Sequence, residues 1–179
     1  KECMTRAFTA VPLPEDQAKK LREIQEKLNV GKPVPREKMH ITFEFFEDLD
    51  ELEIAEIKTY LESIETDPLN IRIKGLGAFP SKKFIRVLWA GIESEEIENL
   101  YRKASGHEID SDNDHDFRPH VTLSRVNDLR ALEKKHVHEI MQDYNGKVIG
   151  SFQASELVFY ESEMSSDGAK YRKMYSKKL

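Results

Sequence analysis

An α+β fold built from a duplicated unit is predicted by three observations on this 179-residue chain. The pattern His-apolar-Thr-apolar occurs twice, as His40-Ile41-Thr42-Phe43 and His120-Val121-Thr122-Leu123. Segments that alternate every second residue, the period of a strand, are interleaved with segments whose apolar residues recur every three or four positions, the period of a helix. The order strand, helix, His-x-Thr strand, helix, strand runs twice, and Phe8 to His40 is as long a step as Leu88 to His120. A duplicated unit packs about a pseudo-twofold axis. The expected architecture is therefore bilobal: two mainly antiparallel sheets facing a central cleft, with helices on the outside. A single domain is expected over 1–179, its lobes near 4–80 and 81–179, with exchange of terminal strands between them allowed for.

The elements follow in order. Arg6 to Val11 alternates and stops at Pro12, a first strand. Ala18, Leu21, Ile24 and Leu28 form one helical face that ends before Gly31, and Pro33 and Pro35 enforce a loop. The first His-x-Thr strand covers about Met39 to Phe46. Asp50 with Glu53 makes a helix start, and Ile54, Ile57, Leu61 and Ile64 share a face. Asn70 to Lys74 reads as a strand, with Gly75, Gly77 and Pro80 turning the chain. Phe84 to Gly91 is the next strand, and Ile97, Leu100, Tyr101 and Ala104 lie on a helix ending at Gly106. An acidic loop, Asp110 to Asp116, precedes the second His-x-Thr strand. A helix carrying Leu129, Leu132, Val137 and Ile140, a strand from about Ser151 to Glu161 and a last strand from Tyr171 to Lys177 complete the chain.

Composition narrows the class. With 34% charged and 39% apolar residues, 8 Gly and 7 Pro, the chain reads as folded and water-soluble. No apolar run approaches a membrane span and no signal peptide is visible, so no membrane association and a cytoplasmic location are expected. Cys3 is the single cysteine, which excludes an intrachain disulfide and a thiolate cluster. Met4 reads as the natural start, leaving Lys1 to Cys3 as an addition. At a net charge of −5, a nucleic acid would have to be held by a local basic patch.

In an extended strand His40 and Thr42 share one face while Ile41 and Phe43 face a core, and the same holds for His120 and Thr122. Either copy alone reads as a partly buried structural histidine; the pair reads as function. Two imidazoles on opposite sides of a reacting group can take a proton from an attacking hydroxyl or water and return one to a leaving oxygen. Two threonine hydroxyls and a nearby cation would hold the remaining phosphate oxygens. Arg125 falls five residues after His120, so only a bulge or a strand end would turn it to the histidine face. Arg118, two before His120, shares that face on a regular strand, or is a solvated loop charge. No metal site is expected. Asp110, Asp112 and Asp114 have calcium-loop spacing, but His115 replaces the required glycine and Val121 the closing glutamate. His136 and His138 cannot pair on one helical face.

These residues resemble the two-histidine (2H) phosphoesterase superfamily, in its RNA 2',3'-cyclic phosphodiesterase branch, formerly called 2'-5' RNA ligases. The likeness runs from Met4 to Leu179. It includes Arg6-Ala7-Phe8, both His-x-Thr motifs, Phe45-Phe46, Gly77-Ala78-Phe79-Pro80, Trp89-Ala90-Gly91, Phe117-Arg118-Pro119 ahead of His120, Ser124-Arg125, and Leu157 to Ser162. Glu47, where the family often has glycine, and Phe43, where leucine is usual, depart from it. The resemblance implies a cleft between lobes, His40 and His120 as catalytic pair, and Thr42, Thr122 and Arg125 as phosphate ligands. It further implies no metal and no cofactor, and as substrate an RNA ending in a 2',3'-cyclic phosphate, tRNA fragments among the candidates, opened to a 2'-phosphate. A monomer is expected. The alternatives are ATP-independent 2'-5' ligation as the working direction and a non-catalytic nucleotide-binding module. Phe8, Phe45 and Tyr160 are core residues or base-stacking candidates.

Overall fold

A computed structural model describes residues 3–113 and 116–179. Lys1, Glu2, Asp114 and His115 lie outside the described residues, and with them part of the segment ahead of Met4 and of the calcium-like spacing. The chain forms β1 (Thr5–Pro12), α1 (Glu15–Leu28), β2 (Lys32–Pro33), a 3-10 turn (Arg36–Lys38), β3 (His40–Leu49), α2 (Glu51–Ser63), β4 (Leu69–Pro80) and β5 (Ile85–Glu93). Then come α3 (Ile97–Ala104), β6 (His120–Arg125), α4 (Ala131–Asp143), β7 (Val148–Ala154), β8 (Glu156–Ser165) and β9 (Gly168–Lys178).

The strands form one antiparallel ladder in the order β7-β4-β5-β6-β3-β1-β8-β9, with β2 laid on β6. The α+β class and the antiparallel, helix-backed architecture stand, but the two halves are joined rather than separate. Their junction is a single residue pair, Ile41 with Val121, both fully buried. Two β-bulges keep it narrow. Between Thr9 and Ala10 of β1 the partner strand β3 advances two residues, Glu44 to Thr42; between Leu88 and Trp89 of β5, β6 advances from Ser124 to Thr122. The extra residue is Phe43 in one copy and Leu123 in the other, and a bulged strand bends away from its neighbour.

The helices are held as the apolar periods require. Leu21, Ile24 and Leu28 of α1 and Ile57 and Leu61 of α2 are buried, and α2 begins with a capping box in which the Glu53 N–H donates to Asp50 Oδ1 at 2.8 Å and the Asp50 N–H to Glu53 Oε2 at 2.9 Å. Helix α1 covers the far half of the sheet, against β7 and α4: a Cβ on Gly150 would lie 2.0 Å from Gln17 Oε1, and His136 Nε2 donates to the Lys27 carbonyl at 2.8 Å. Helix α3 covers the first half beside α2, where the Tyr60 hydroxyl donates to the Lys103 carbonyl at 2.6 Å. Just beyond α3, His107 Nε2 meets Glu44 Oε1 at 2.9 Å with both side chains buried, fastening this layer to β3.

Three expectations change. The strand foreseen over Ser151 to Glu161 is two, β7 and β8, which break at Ser155 and go to different halves; neither glycine nor proline marks the break. Gly75 and Gly77 do not end a strand but lie within β4. Gly75 takes a positive φ of 71° at an irregularity, and Gly77 makes room for Trp89, whose ring would be 2.1 Å from any Cβ there. Leu132, expected on the buried face of α4, is 82% exposed, whereas Val137 and Ile140 are buried. Among the described residues no helix is long and apolar enough to cross a membrane.

Candidate active site

The site is created by the junction pair. Continuing the antiparallel register from Ile41 and Val121 sets His40 opposite Thr122 and Thr42 opposite His120, so the two motifs cross on a local twofold axis. Both strands alternate identically: His40, Thr42, His120 and Thr122 are part-exposed, while Ile41, Phe43, Val121 and Leu123 are buried. All four polar side chains line one hollow of about 240 Å³.

Each imidazole is fixed in the same way. His40 Nδ1 lies 2.6 Å from the Lys38 carbonyl and His120 Nδ1 lies 2.6 Å from the Arg118 carbonyl. A carbonyl oxygen only accepts, so Nδ1 carries the hydrogen and Nε2 is left with its lone pair. Aromatic rings buttress both. Phe8 stacks on His40 at 4.9 Å, and Phe79 meets His120 edge-on at 4.9 Å with Trp89 behind it. Burial pushes the His40 pKa down to about 4, helped by the charges of His120 and Arg125. Burial, then Arg125, lowers that of His120 as well. Both rings therefore favour the neutral state, and an anion between them would restore a proton.

Arg125 reaches the same hollow. The bulge at Leu123 supplies the change of parity: residues 120 and 122 face the cleft before it and 125 after it. The bulge is held by partners that periodicity cannot reveal. The Leu123 carbonyl accepts from the Val34 N–H at 2.8 Å and from the buried Gln25 Nε2 at 2.7 Å, and Gln25 also donates to the Val34 carbonyl at 2.9 Å. Gly31, at φ 66°, lets the loop pass so close that a Cβ would be 2.4 Å from the Arg125 carbonyl. In the first copy the carbonyl of the bulged Phe43 accepts from Asn113 Nδ2 at 3.1 Å, and the position matching Arg125 is Phe45.

Residues 11–89 match the family model described as LigT like Phosphoesterase. The RNA 2',3'-cyclic phosphodiesterase of Methanothermobacter thermautotrophicus is 30% identical over 178 residues, covering 94% of this chain and 96% of that protein. The chain belongs to the LigT-like phosphoesterase family. The RNA 2',3'-cyclic phosphodiesterase of Methanocaldococcus jannaschii is 27% identical over 170 residues, covering 93% and 96% of the two chains. Among solved structures, the Thermus thermophilus protein TT0787 superposes with a TM-score of 0.76 at 25% identity, covering 97% of each chain. The apo form of Escherichia coli LigT gives 0.79 at 18% over 100% and 99%, a likeness of fold.

In this LigT-like chain the other residues singled out fall as follows. Arg118 is exposed and lines a neighbouring hollow instead of the one holding both histidines. Phe8 is 4% exposed, a buttress with no free face for a base. Phe45 is part-buried under the Arg6 guanidinium, 5.3 Å from its ring centre, and Tyr160 stacks on Phe8. His136 and His138 donate to different backbone carbonyls, those of Lys27 and Lys82. Sequence reasoning missed Lys32, Lys38 and Tyr171, which also line the hollow. Lys38 had a signal: a basic residue stands two before the histidine in both copies. Lys32 had none, since it arrives opposite Arg125 only through the pairing of β2 with β6.

Proposed function

We propose that the protein hydrolyses RNA 2',3'-cyclic phosphate ends to 2'-phosphates, with His40 and His120 as an acid-base pair and without a metal ion or cofactor. The phosphate sits between the two free Nε2 atoms. One imidazole takes a proton from water as the water oxygen attacks phosphorus; the other, protonated, gives its proton to O3' as the P–O3' bond breaks. Thr42 and Thr122 donate hydroxyl hydrogens to the two nonbridging oxygens, and Arg125 balances the charge that develops there. Proton transfer and charge stabilisation are thus both supplied by side chains. The substrate class rests on the relatives' activity. The observation that carries the mechanism is the crossing of the two His-Thr pairs at Ile41 and Val121, with each Nδ1 tied to a carbonyl.

The test is turnover of a short RNA ending in a 2',3'-cyclic phosphate with chelator present, by the wild type, His40→Ala and His120→Ala. Conversion to the 2'-phosphate is expected, unaffected by chelator and lowered about 10²- to 10⁴-fold in each variant. Binding without turnover by a folded wild type would refute the reading in favour of a nucleotide-binding module, and a 3'-phosphate product would refute the assignment of the broken bond.

A further inference from the structure

Past the junction at Ile41 and Val121, β3 and β6 part, and β3 keeps a neighbouring strand, β1, on one side only. Its other edge is taken up by Asp112 and Asn113, from the connection between α3 and β6. The Asn113 side chain spans the bulge: Nδ2 donates to the Phe43 carbonyl at 3.1 Å, and Oδ1 accepts from the Phe45 N–H at 3.2 Å. The Asp112 N–H donates to the Phe45 carbonyl at 2.8 Å, and Asp112 Oδ2 accepts from the Glu47 N–H at 2.6 Å. Every second residue of β3 from Phe43 to Glu47 is therefore met along this edge as a paired strand would meet it, by two residues that belong to no strand. Further back, the same connection is fastened by the buried His107 to Glu44, the residue after the bulged Phe43.

We infer that Asn113 is a positioning residue that acts through Thr42. Asp112 and Asn113 are exposed, so water would satisfy the same edge groups equally well. What water does not supply is a fixed position. A bulge leaves its extra residue outside the ladder, so the place of Phe43 is set by whatever holds its carbonyl, and Thr42 is joined directly to it. The second copy meets the same need with Gln25 and the Val34 N–H on the Leu123 carbonyl. In the first copy the clamp does more, because the connection that carries Asn113 runs on into His120. It ties the threonine of one motif to the histidine of the other by a path separate from the seam. An amide side chain suits this task, since one group must donate to a carbonyl while the other accepts from an N–H; a carboxylate has nothing to donate. The inference rests on the phosphate contact proposed above for Thr42.

The test measures kcat and KM on a 2',3'-cyclic mononucleotide for Asn113→Ala and Asn113→Asp, each with Thr42 intact and with Thr42→Ala, beside urea midpoints and backbone amide NMR spectra. With Thr42 intact, both substitutions are expected to lower kcat about tenfold and to change KM by less than about twofold. The urea midpoint should stay in place, because the replaced side chain is exposed. In the Thr42→Ala background neither substitution should lower kcat further, since the group being positioned is gone. The Thr42 amide resonance should shift in Asn113→Ala. Losses that multiply with that of Thr42→Ala would put the action of Asn113 elsewhere, and a rise in KM alone would put Asn113 on the substrate. Either result overturns the inference, as does an unchanged kcat, or activity that merely follows a lowered folded fraction. A wild type inactive on the cyclic mononucleotide refutes the proposed hydrolysis instead; the Thr42 resonance needs no turnover, and its failure to move in Asn113→Ala overturns the positioning by itself.

Discussion

Gln25 bears on both stability and the position of Arg125, and its replacement by leucine separates the two. The side chain is 7% exposed and donates from Nε2 to the carbonyls of Leu123 at 2.7 Å and Val34 at 2.9 Å. After Gln25→Leu the Leu123 carbonyl keeps the Val34 N–H at 2.8 Å, so its loss is that of one ordinary bond, about 0.5–1.5 kcal/mol. The Val34 carbonyl loses its side-chain donor, and leaving such a group unsatisfied costs about 1–3 kcal/mol. The leucine restores most of the volume, so no large cavity is added. The expected destabilisation is about 2–4 kcal/mol, read as a lower urea midpoint at constant m-value, or as a Tm lowered by roughly 5–12 °C for a domain of this size. Activity should fall further than the unfolded fraction explains, because the bulge that turns Arg125 into the histidine hollow is loosened. A midpoint within about 0.5 kcal/mol of the wild type would refute the bond accounting. A destabilised variant with unaltered kcat/KM would refute the link from Gln25 through the bulge to Arg125.

Two further outcomes are expected. Arg125→Gln should cost about 10- to 100-fold in kcat/KM, as the charge-assisted phosphate contact proposed for Arg125 is lost. Because the Arg125 charge disfavours both imidazolium forms, its removal raises both pKa values and should move the pH profile of kcat/KM to higher pH; a profile lowered but not displaced would show that Arg125 does not act on the histidines. Gly77→Ala forces its Cβ to within 2.1 Å of Trp89 Cζ2, so the indole beside Phe79 and His120 must move, at a cost of about 1–3 kcal/mol. Trp89 is the single tryptophan, so its emission reports the shift directly, and an unchanged spectrum with unchanged stability would overturn the argument.

The parts legible in the sequence are those set by local periodicity. Alternation around His40 and His120 placed two polar side chains on a common face in each copy, and the capping box at Asp50 and Glu53 marked the start of α2. Arg125 was legible only conditionally. Parity counting requires a bulge, and the bulge depends on Gln25, nearly a hundred positions away, and on a glycine at Gly31 that reads as a simple helix stop. The break at Ser155 was hidden because its backbone is extended on both sides and no residue there resists a strand. Gly75 and Gly77 misled in the opposite sense: glycine is used there for a left-handed backbone and for an aromatic ring crossing the strand, needs that a single chain segment does not display. Lys32 and the arginine-lined hollow come together only in the assembled sheet.

The cross-placement of α1 and α3 has a consequence for how the molecule comes apart. Each follows a strand of one half and covers the other, while β4 and the β8-β9 hairpin each join the half that chain order would not assign them. A cut between Pro80 and Phe84 would therefore yield two fragments, neither owning a complete sheet with its own cover. The single backbone pair at Ile41 and Val121 is a seam but not a hinge: opening it requires withdrawing a helix from each side at once. The cleft and the global fold should accordingly melt in one cooperative transition, and amides of Ile41 and Val121 should exchange with solvent only when the whole chain unfolds.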